Sequence, residues 1–280
     1  MNNFNGLAFI NIELTSRCNK NCHMCGRRKI DREYPEIATK YGDMEFSLLE
    51  KIAKQVPPNI VVAFHWNGDP TLYPRLGEAF DLFPNNIKCL DTNGKLLIKK
   101  KNEIIDKIDS LTLSVIENDP DGDKQYDIAS KFLAMRGDKK PIVVFRLLGD
   151  VAKLDNNPPG LSRKNRWYDL AKMYDCIIAT RTLHSPMGSF KYERKPTIPE
   201  IGICVEALTH LAIDRFGYVS MCVRFDPYGA GIIGNVNTTP LIDIWNSIER
   251  TNRIDLHKQG RRKDIPLCAH CDFWGVPTAF

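Results

Sequence analysis

The chain has 280 residues, 43% of them hydrophobic and 26% charged; Lys plus Arg is 39 against Asp plus Glu 34, a net charge of +5. At roughly 150 residues per domain this is one large domain or one domain with an appendix. It is long enough to bury a core without disulfides or metal. The composition excludes a fibrous or disordered chain. The mild positive excess demands no nucleic acid, but suits an acidic protein partner or an anionic substrate.

The first residues carry neither the basic nor the apolar region of a signal peptide. The longest apolar runs, such as residues 60–64, are too short to cross a bilayer, so no membrane association and a cytoplasmic location are expected. Nine cysteines are then the anomaly. In a reducing compartment, clustered thiols bind metal or do chemistry more often than they pair.

Residues 7–14 alternate apolar and polar side chains and predict a strand. Apolar residues at helical spacing predict a helix over 46–56. A β-branched strand is expected at 60–64, another at 87–90 and a helix at 95–108. Residues 111–116 predict a fourth strand. A helix over 121–135 opens with acidic residues that suit its N-terminal dipole. Strands at 142–148 and 177–183 flank a helix around 167–174. This βα alternation implies a parallel sheet, open or curled into a barrel. The proline-rich stretch 186–200 reads as a linker between a core of residues 1–185 and a smaller unit, 201–280. The smaller unit predicts a hairpin from strands 208–214 and 218–224, then a helix over 240–256.

Cys18, Cys22 and Cys25 form a C-x3-C-x2-C loop directly after the first strand. Three thiolates on one loop can hold three irons of a cubane cluster and leave the fourth open. An open position marks a working site. Zinc would want a second cysteine pair close by, and the nearest spare ligand is His23. The loop falls at the C-terminal mouth of the sheet, where α/β enzymes carry their chemistry.

The segment from Asn11 to Cys25 resembles the cluster loop of the radical S-adenosylmethionine (SAM) enzymes. The resemblance implies a partial (β/α)6 TIM-like barrel. It also implies a [4Fe–4S] cluster on Cys18, Cys22 and Cys25 that binds SAM and generates a 5′-deoxyadenosyl radical. Met24 stands where the family usually has an aromatic residue against adenine; a thioether can also contact a ring. Residues 65–70, His-Trp-Asn-Gly-Asp-Pro, resemble the Gly-Gly-Glu-Pro stretch that holds the SAM amino group, with Asn67, Gly68 and Asp69 as the counterparts. Without that context, Gly-Asp-Pro reads as a turn. Thr92 and Asn93 belong to a segment that lines the family's site, although Asn-Gly alone is also a turn signal. Ser114 occupies the place from which members bond the ribose. Arg146, on an apolar strand, requires an anionic partner: the SAM carboxylate, a substrate group or a structural ion pair.

Cys204, Cys222, Cys268 and Cys271 can saturate either zinc or an iron–sulfur cluster, and ligand chemistry alone does not choose. Spacing alone favours zinc slightly. With residues 234–236 and 241–245, these cysteines resemble the SPASM extension in its shortened twitch form, here a β-hairpin plus helix. That resemblance implies one auxiliary [4Fe–4S] cluster, so two clusters in all. Cys89 and Cys176 read as core residues, the sharper alternative being a thiol hydrogen donor.

The resemblance therefore implies an oxidoreductase-type radical enzyme. A cluster fully bound by protein suits electron transfer, which favours a two-electron oxidation. A flavodoxin or ferredoxin would supply the electron. Neither a leader-binding domain before the first strand nor the later cysteines of a full SPASM extension are expected, so a small polar substrate is preferred. Epimerisation, decarboxylation and modification of a peptide or nucleic acid are the alternatives within the class; a zinc-stapled binding protein is the alternative outside it. Arg146, Arg181, His184 and Tyr192 are substrate-anchoring candidates by position.

Overall fold

The computed structural model describes residues 3–22, 24–38, 40–116, 121–148, 163–181, 202–224, 226, 228–269 and 271. Its elements begin with β1 (Phe9–Ile12), α1 (Gly26–Glu33), α2 (Pro35–Ala38), α3 (Phe46–Ala53) and β2 (Val61–Phe64). They continue with α4 (Leu76–Asp81), β3 (Ile87–Thr92), α5 (Leu97–Ile104), β4 (Ser110–Val115), α6 (Gly122–Arg136), β5 (Ile142–Leu148), α7 (Arg163–Met173) and β6 (Ile177–Arg181). Beyond these lie α8 (Val205–Thr209), β7 (His210–Ile213), β8 (Tyr218–Ser220), β9 (Ile232–Asn235), α9 (Leu241–Trp245), α10 (Ile248–Lys258) and α11 (Pro266–Ala269).

The strands form one sheet in the order β6-β5-β4-β3-β2-β1-β7-β8-β9. Strands β1 to β6 pair in parallel, as the βα alternation requires. The sheet ends in two edges, β6 and β9, and is not closed. This is the expected α/β class with a partial barrel.

Alternation sorts the side chains of each strand. On β5, Val143, Phe145 and Leu147 are buried in the core, while Val144, Arg146 and Leu148 take the other face. On β1, Ile10 and Ile12 are fully buried. On that core side, Phe64 packs edge-to-face on Phe80 at 5.0 Å, and Trp167 on Phe145 at 4.9 Å. Each burying of such a ring contributes roughly 1.5–3 kcal/mol.

Three local expectations are corrected. Leu208 and Thr209, expected to begin a strand, instead end helix α8, so β7 starts only at His210. The single helix expected over 240–256 is two, α9 and α10. Ser247 breaks them by taking an extended conformation and accepting a hydrogen bond from Arg250 N, an N-cap for α10. The hairpin of β7 and β8 also gains a third strand, β9. It does not stand apart from the sheet: β7 pairs in parallel with β1. The residues read as a linker, 186–200, lie outside the described residues, as do His184 and Tyr192.

Candidate active site and auxiliary cysteine centre

A cavity of about 510 Å3 opens at the C-terminal ends of the parallel strands. Cys18, Cys22, Met24 and Cys25 line it from the loop after β1. Asn67, Gly68 and Asp69 come from the loop after β2, Thr92 and Asn93 from the end of β3, Ser114 from β4 and Arg146 from β5. Every residue assigned by resemblance to the SAM-binding cluster or to SAM is therefore brought to one cavity. Arg181 ends β6.

The loop after β2 is pressed onto the loop after β1. A Cβ on Gly68 would collide with Thr15 O, and would lie 2.6 Å from Arg17 O and 2.8 Å from Ser16 C. Only glycine allows this approach. Asp69 N donates to Arg17 O at 2.8 Å and locks it. The Asp69 carboxylate is buried and occupied. It accepts from Thr71 N at 3.0 Å, Thr92 Oγ1 at 2.8 Å and Asn93 N at 2.8 Å. It thus caps the short 3-10 turn Pro70–Leu72 and ties the β2 loop to β3. Asn93 Nδ2 in turn lies 3.8 Å from Cys18 Sγ.

Glu13 is buried at the end of β1. Its carboxylate accepts from Asn67 N at 3.2 Å and Asn67 Nδ2 at 3.0 Å. Burial pushes its pKa up, against these hydrogen bonds. Burial likewise raises the Cys18 thiol, opposed by the Lys20 backbone N–H and the Arg27 charge. Such a thiol becomes a ligand when a metal replaces its proton.

Three polar residues on this wall were given no role by the sequence reading. His65, Asp91 and Asn11 all line the cavity. Asp91 forms an ion pair with Arg146. This is the anionic partner Arg146 requires, and it comes from within the chain. His65 Nε2 lies 3.7 Å from Asp91 Oδ2. Asn11 Nδ2 approaches Nε2 at 3.2 Å and Nδ1 at 3.4 Å. Burial pushes the Asp91 carboxyl up, but His65, Arg146 and a hydrogen bond from Thr112 outweigh it and hold its pKa below the ordinary value. The available signal for two of them and for Arg146 was partial: Asn11 and Arg146 are lone polar residues on apolar strands, whereas Asp91 shares β3 with Lys88 and Thr92.

The second group of cysteines also converges. Burial drives the Cys222 thiol well up, and Cys204 adds to the rise. Burial raises Cys268 to about 12, with Cys271 and Cys204 adding to it. Cys222 and Cys268, each raised by burial and by neighbouring thiols, suit a cation or cluster that would hold them as thiolates. Among the described residues, no three of His, Cys, Asp and Glu are arranged to hold a single metal ion. A cubane places each thiolate on a different iron, so its ligands need not converge on one point. Cys89 and Cys176 do not figure in the cavity lining. Burial raises each to about 11, and Cys176 packs against the core.

The structure thus pairs an α/β fold and a three-cysteine loop lining a cavity with four further cysteines in its C-terminal part. Residues 204–272 match the SPASM family, an iron-sulfur cluster-binding domain. FeMo cofactor biosynthesis protein NifB of Methanocaldococcus jannaschii is 33% identical over 124 residues, covering 40% of this chain and 41% of that protein. The S-adenosyl-L-methionine-dependent 2-deoxy-scyllo-inosamine dehydrogenase of Niallia circulans is 21% identical over 279 residues, 97% of this chain and 95% of the relative. The crystal structure of BtrN with AdoMet and 2-DOIA shares the fold, with a TM-score of 0.58 at 18% identity, covering 98% of this chain and 96% of that one. With the cysteine loop, these make the chain similar to the radical SAM enzymes that carry a SPASM extension. The matched SPASM segment is an iron-sulfur cluster-binding domain, and SAM belongs to the names of the dehydrogenase relative and the BtrN complex. No helix among the described residues is long and apolar enough to cross a membrane.

Proposed function

We propose that the chain is a radical SAM oxidoreductase that removes two electrons from a small polar substrate, such as a hydroxylated or aminated ring. The observation that carries this is the single cavity joining the open three-thiol loop to the His65–Asp91–Arg146 wall. Its volume lies within the roughly 300–1,000 Å3 of ligand cavities. The near full-length alignment with an aminocyclitol dehydrogenase supports the substrate class.

Cys18, Cys22 and Cys25 would hold the SAM-binding cluster; Cys204, Cys222, Cys268 and Cys271 would hold one auxiliary cluster, giving two. When bound, these cofactors supply reductive SAM cleavage, hydrogen-atom abstraction by the 5′-deoxyadenosyl radical and one-electron transfer. The chain's own residues do the positioning. Glu13 fixes Asn67, Gly68 brings its backbone against the cluster loop, and Asp69 holds Thr92 and Asn93 in place. The cradle is therefore set before ligand arrives. Met24 offers its thioether to adenine and Ser114 its hydroxyl to the ribose. Oxidation of a carbinol releases a proton, and His65 is placed to receive it. The imidazolium is stabilised by Asp91 beside Nε2, and Arg146 orients that carboxylate. Lys20, Arg27 and Arg224 add positive charge to the lining. A flavodoxin or ferredoxin is the proposed electron donor, and the cytoplasm the proposed location.

The test is an anaerobic turnover of the reconstituted chain with SAM, a strong reductant and 2-deoxy-scyllo-inosamine among a panel of deuterated amino polyols. The reading expects deuterium in 5′-deoxyadenosine and a product lighter by two hydrogens. A product that keeps its full hydrogen count, with a substrate deuterium replaced by a solvent hydrogen, would instead establish epimerisation.

A further inference from the structure

The C-terminal unit carries a basic run, Arg261, Arg262 and Lys263, which by composition is a solvated face. The structure separates its middle member. A 3-10 turn, Arg262–Asp264, buries Arg262 and leaves Arg261 and Lys263 exposed. Arg261 pairs with Asp264 at the surface. Arg262 instead turns inward onto the C-x2-C loop. Its Nη1 donates to Cys268 O at 2.5 Å and to Cys271 O at 3.3 Å. One guanidinium therefore grips the backbone on both sides of this ligand pair.

The charge environment has the same sense elsewhere. Arg253 lies on α10 and donates to Ala230 O and Ile232 O at 2.9 and 3.0 Å, while Glu249 offsets part of its charge. Arg224 is buried two residues after Cys222, with its backbone N–H 3.4 Å from Cys222 Sγ.

We infer that Arg262 is a positioning residue of the auxiliary centre: it sets the C-x2-C loop for ligation and, as a buried cation, favours the reduced state of the cluster held there. This rests on the auxiliary-cluster reading above. The physical ground is that reduction adds one negative charge to a cluster already negative. A nearby guanidinium, which stays charged in protein interiors, lowers the free energy of that state. The reduction potential of an iron–sulfur cluster follows its local charge and hydrogen bonding. A centre that must accept an electron from a substrate radical gains by such a cation.

The experiment uses the full chain, reconstituted anaerobically, as wild type, Arg262→Gln and Arg262→Lys. Iron content and an EPR-monitored redox titration are read, and the cluster on Cys18, Cys22 and Cys25 serves as internal reference. Arg262→Gln is expected to lower the auxiliary midpoint by about 59 mV or more, a tenfold change in the reduced-to-oxidised ratio for one electron. Arg262→Lys should shift it by less than half of that, and the reference cluster should not move. Full iron content with an unshifted auxiliary midpoint in Arg262→Gln overturns the inference. Loss of the auxiliary irons in both variants also overturns its charge component, because lysine keeps the cation. Loss in Arg262→Gln alone supports it. A wild-type chain that holds a single cluster refutes the auxiliary centre itself, which is a different failure.

Discussion

Gly68→Ala tests the cradle at its tightest point. The added methyl would meet three backbone atoms of the loop that leads into Cys18, two of them at 2.6 and 2.8 Å and the third closer still. Ordinary contact begins near 3.4 Å. No side chain can rotate away, so the loop itself must move. Overpacking costs typically about 1–3 kcal/mol, and a backbone obstacle belongs at the upper end. A chain of this length unfolds with an entropy near 0.6 kcal/mol/K, so a loss of about 3 kcal/mol lowers Tm by roughly 5 °C. Gly77→Ala is the control. Its methyl would make ordinary contact with Glu103, at 3.4 and 3.5 Å from side-chain atoms and 3.8 Å from Cα, and it sits in α4, where alanine gains up to about 1 kcal/mol over glycine. Scanning calorimetry of the chain without cofactor reads the stability term; iron content after reconstitution reads the displacement of Cys18. The expected result is a fall in both for Gly68→Ala and in neither for Gly77→Ala. A Gly68→Ala chain with wild-type Tm and wild-type iron would refute the close approach of the two loops.

Asp69→Asn replaces an acceptor-only group that serves Thr71, Thr92 and Asn93 with an amide that must turn N–H groups toward donors. A loss of about 1–3 kcal/mol and weaker SAM binding by equilibrium dialysis are expected. His65→Gln should leave SAM binding within about twofold but slow substrate oxidation about a hundredfold or more, the usual contribution of a general base; equal losses in both would mean a structural role. Burial raises the Asp214 carboxyl to about 6, against backbone N–H bonds from Tyr218 and Phe216. The folded chain holds that proton more tightly, so this group stabilises below the unfolded carboxyl value near 3.9, and the contribution is lost as pH rises through about 6. The Tm of wild type relative to Asp214→Asn should therefore fall between about pH 4 and pH 7; a difference that does not vary with pH would contradict this.

Much of the fold was legible because its signals are local. Alternation and βα order located the six strands β1 to β6, and the spacing of Cys18, Cys22 and Cys25 pointed to the loop that lines the cavity. What was not legible depends on partners distant in the chain. The charged segment Gly-Arg-Arg-Lys-Ile-Asp-Arg-Glu forms α1 although only Arg27 and Ile30 are buried, too short an apolar stripe to show a period. The junction at Asn246 and Ser247 is hidden because the apolar spacing of α9 runs into that of α10 without a glycine or proline between them. The pairing of β7 with β1 joins residues about 200 apart, which no local pattern encodes. At Asp69 a signal was present. Asp-Pro-Thr is a cap followed by proline at the first helical position, and it announces that the carboxylate is spent locally. The His65–Asp91–Arg146 wall needed three strands to be aligned before its members could meet.

The central claim is that three thiols after β1 hold a cluster that activates SAM at this cavity. The most direct measurement is anaerobic reconstitution with iron and sulfide, followed by iron counting and a 5′-deoxyadenosine assay, in wild type and in the Cys18→Ala, Cys22→Ala, Cys25→Ala triple variant. The account predicts about eight irons per chain in wild type, as two cubanes require, with SAM cleavage. The variant should hold about four and cleave nothing. Cleavage that survives in the variant, or a wild-type chain with neither iron nor 5′-deoxyadenosine, would contradict it.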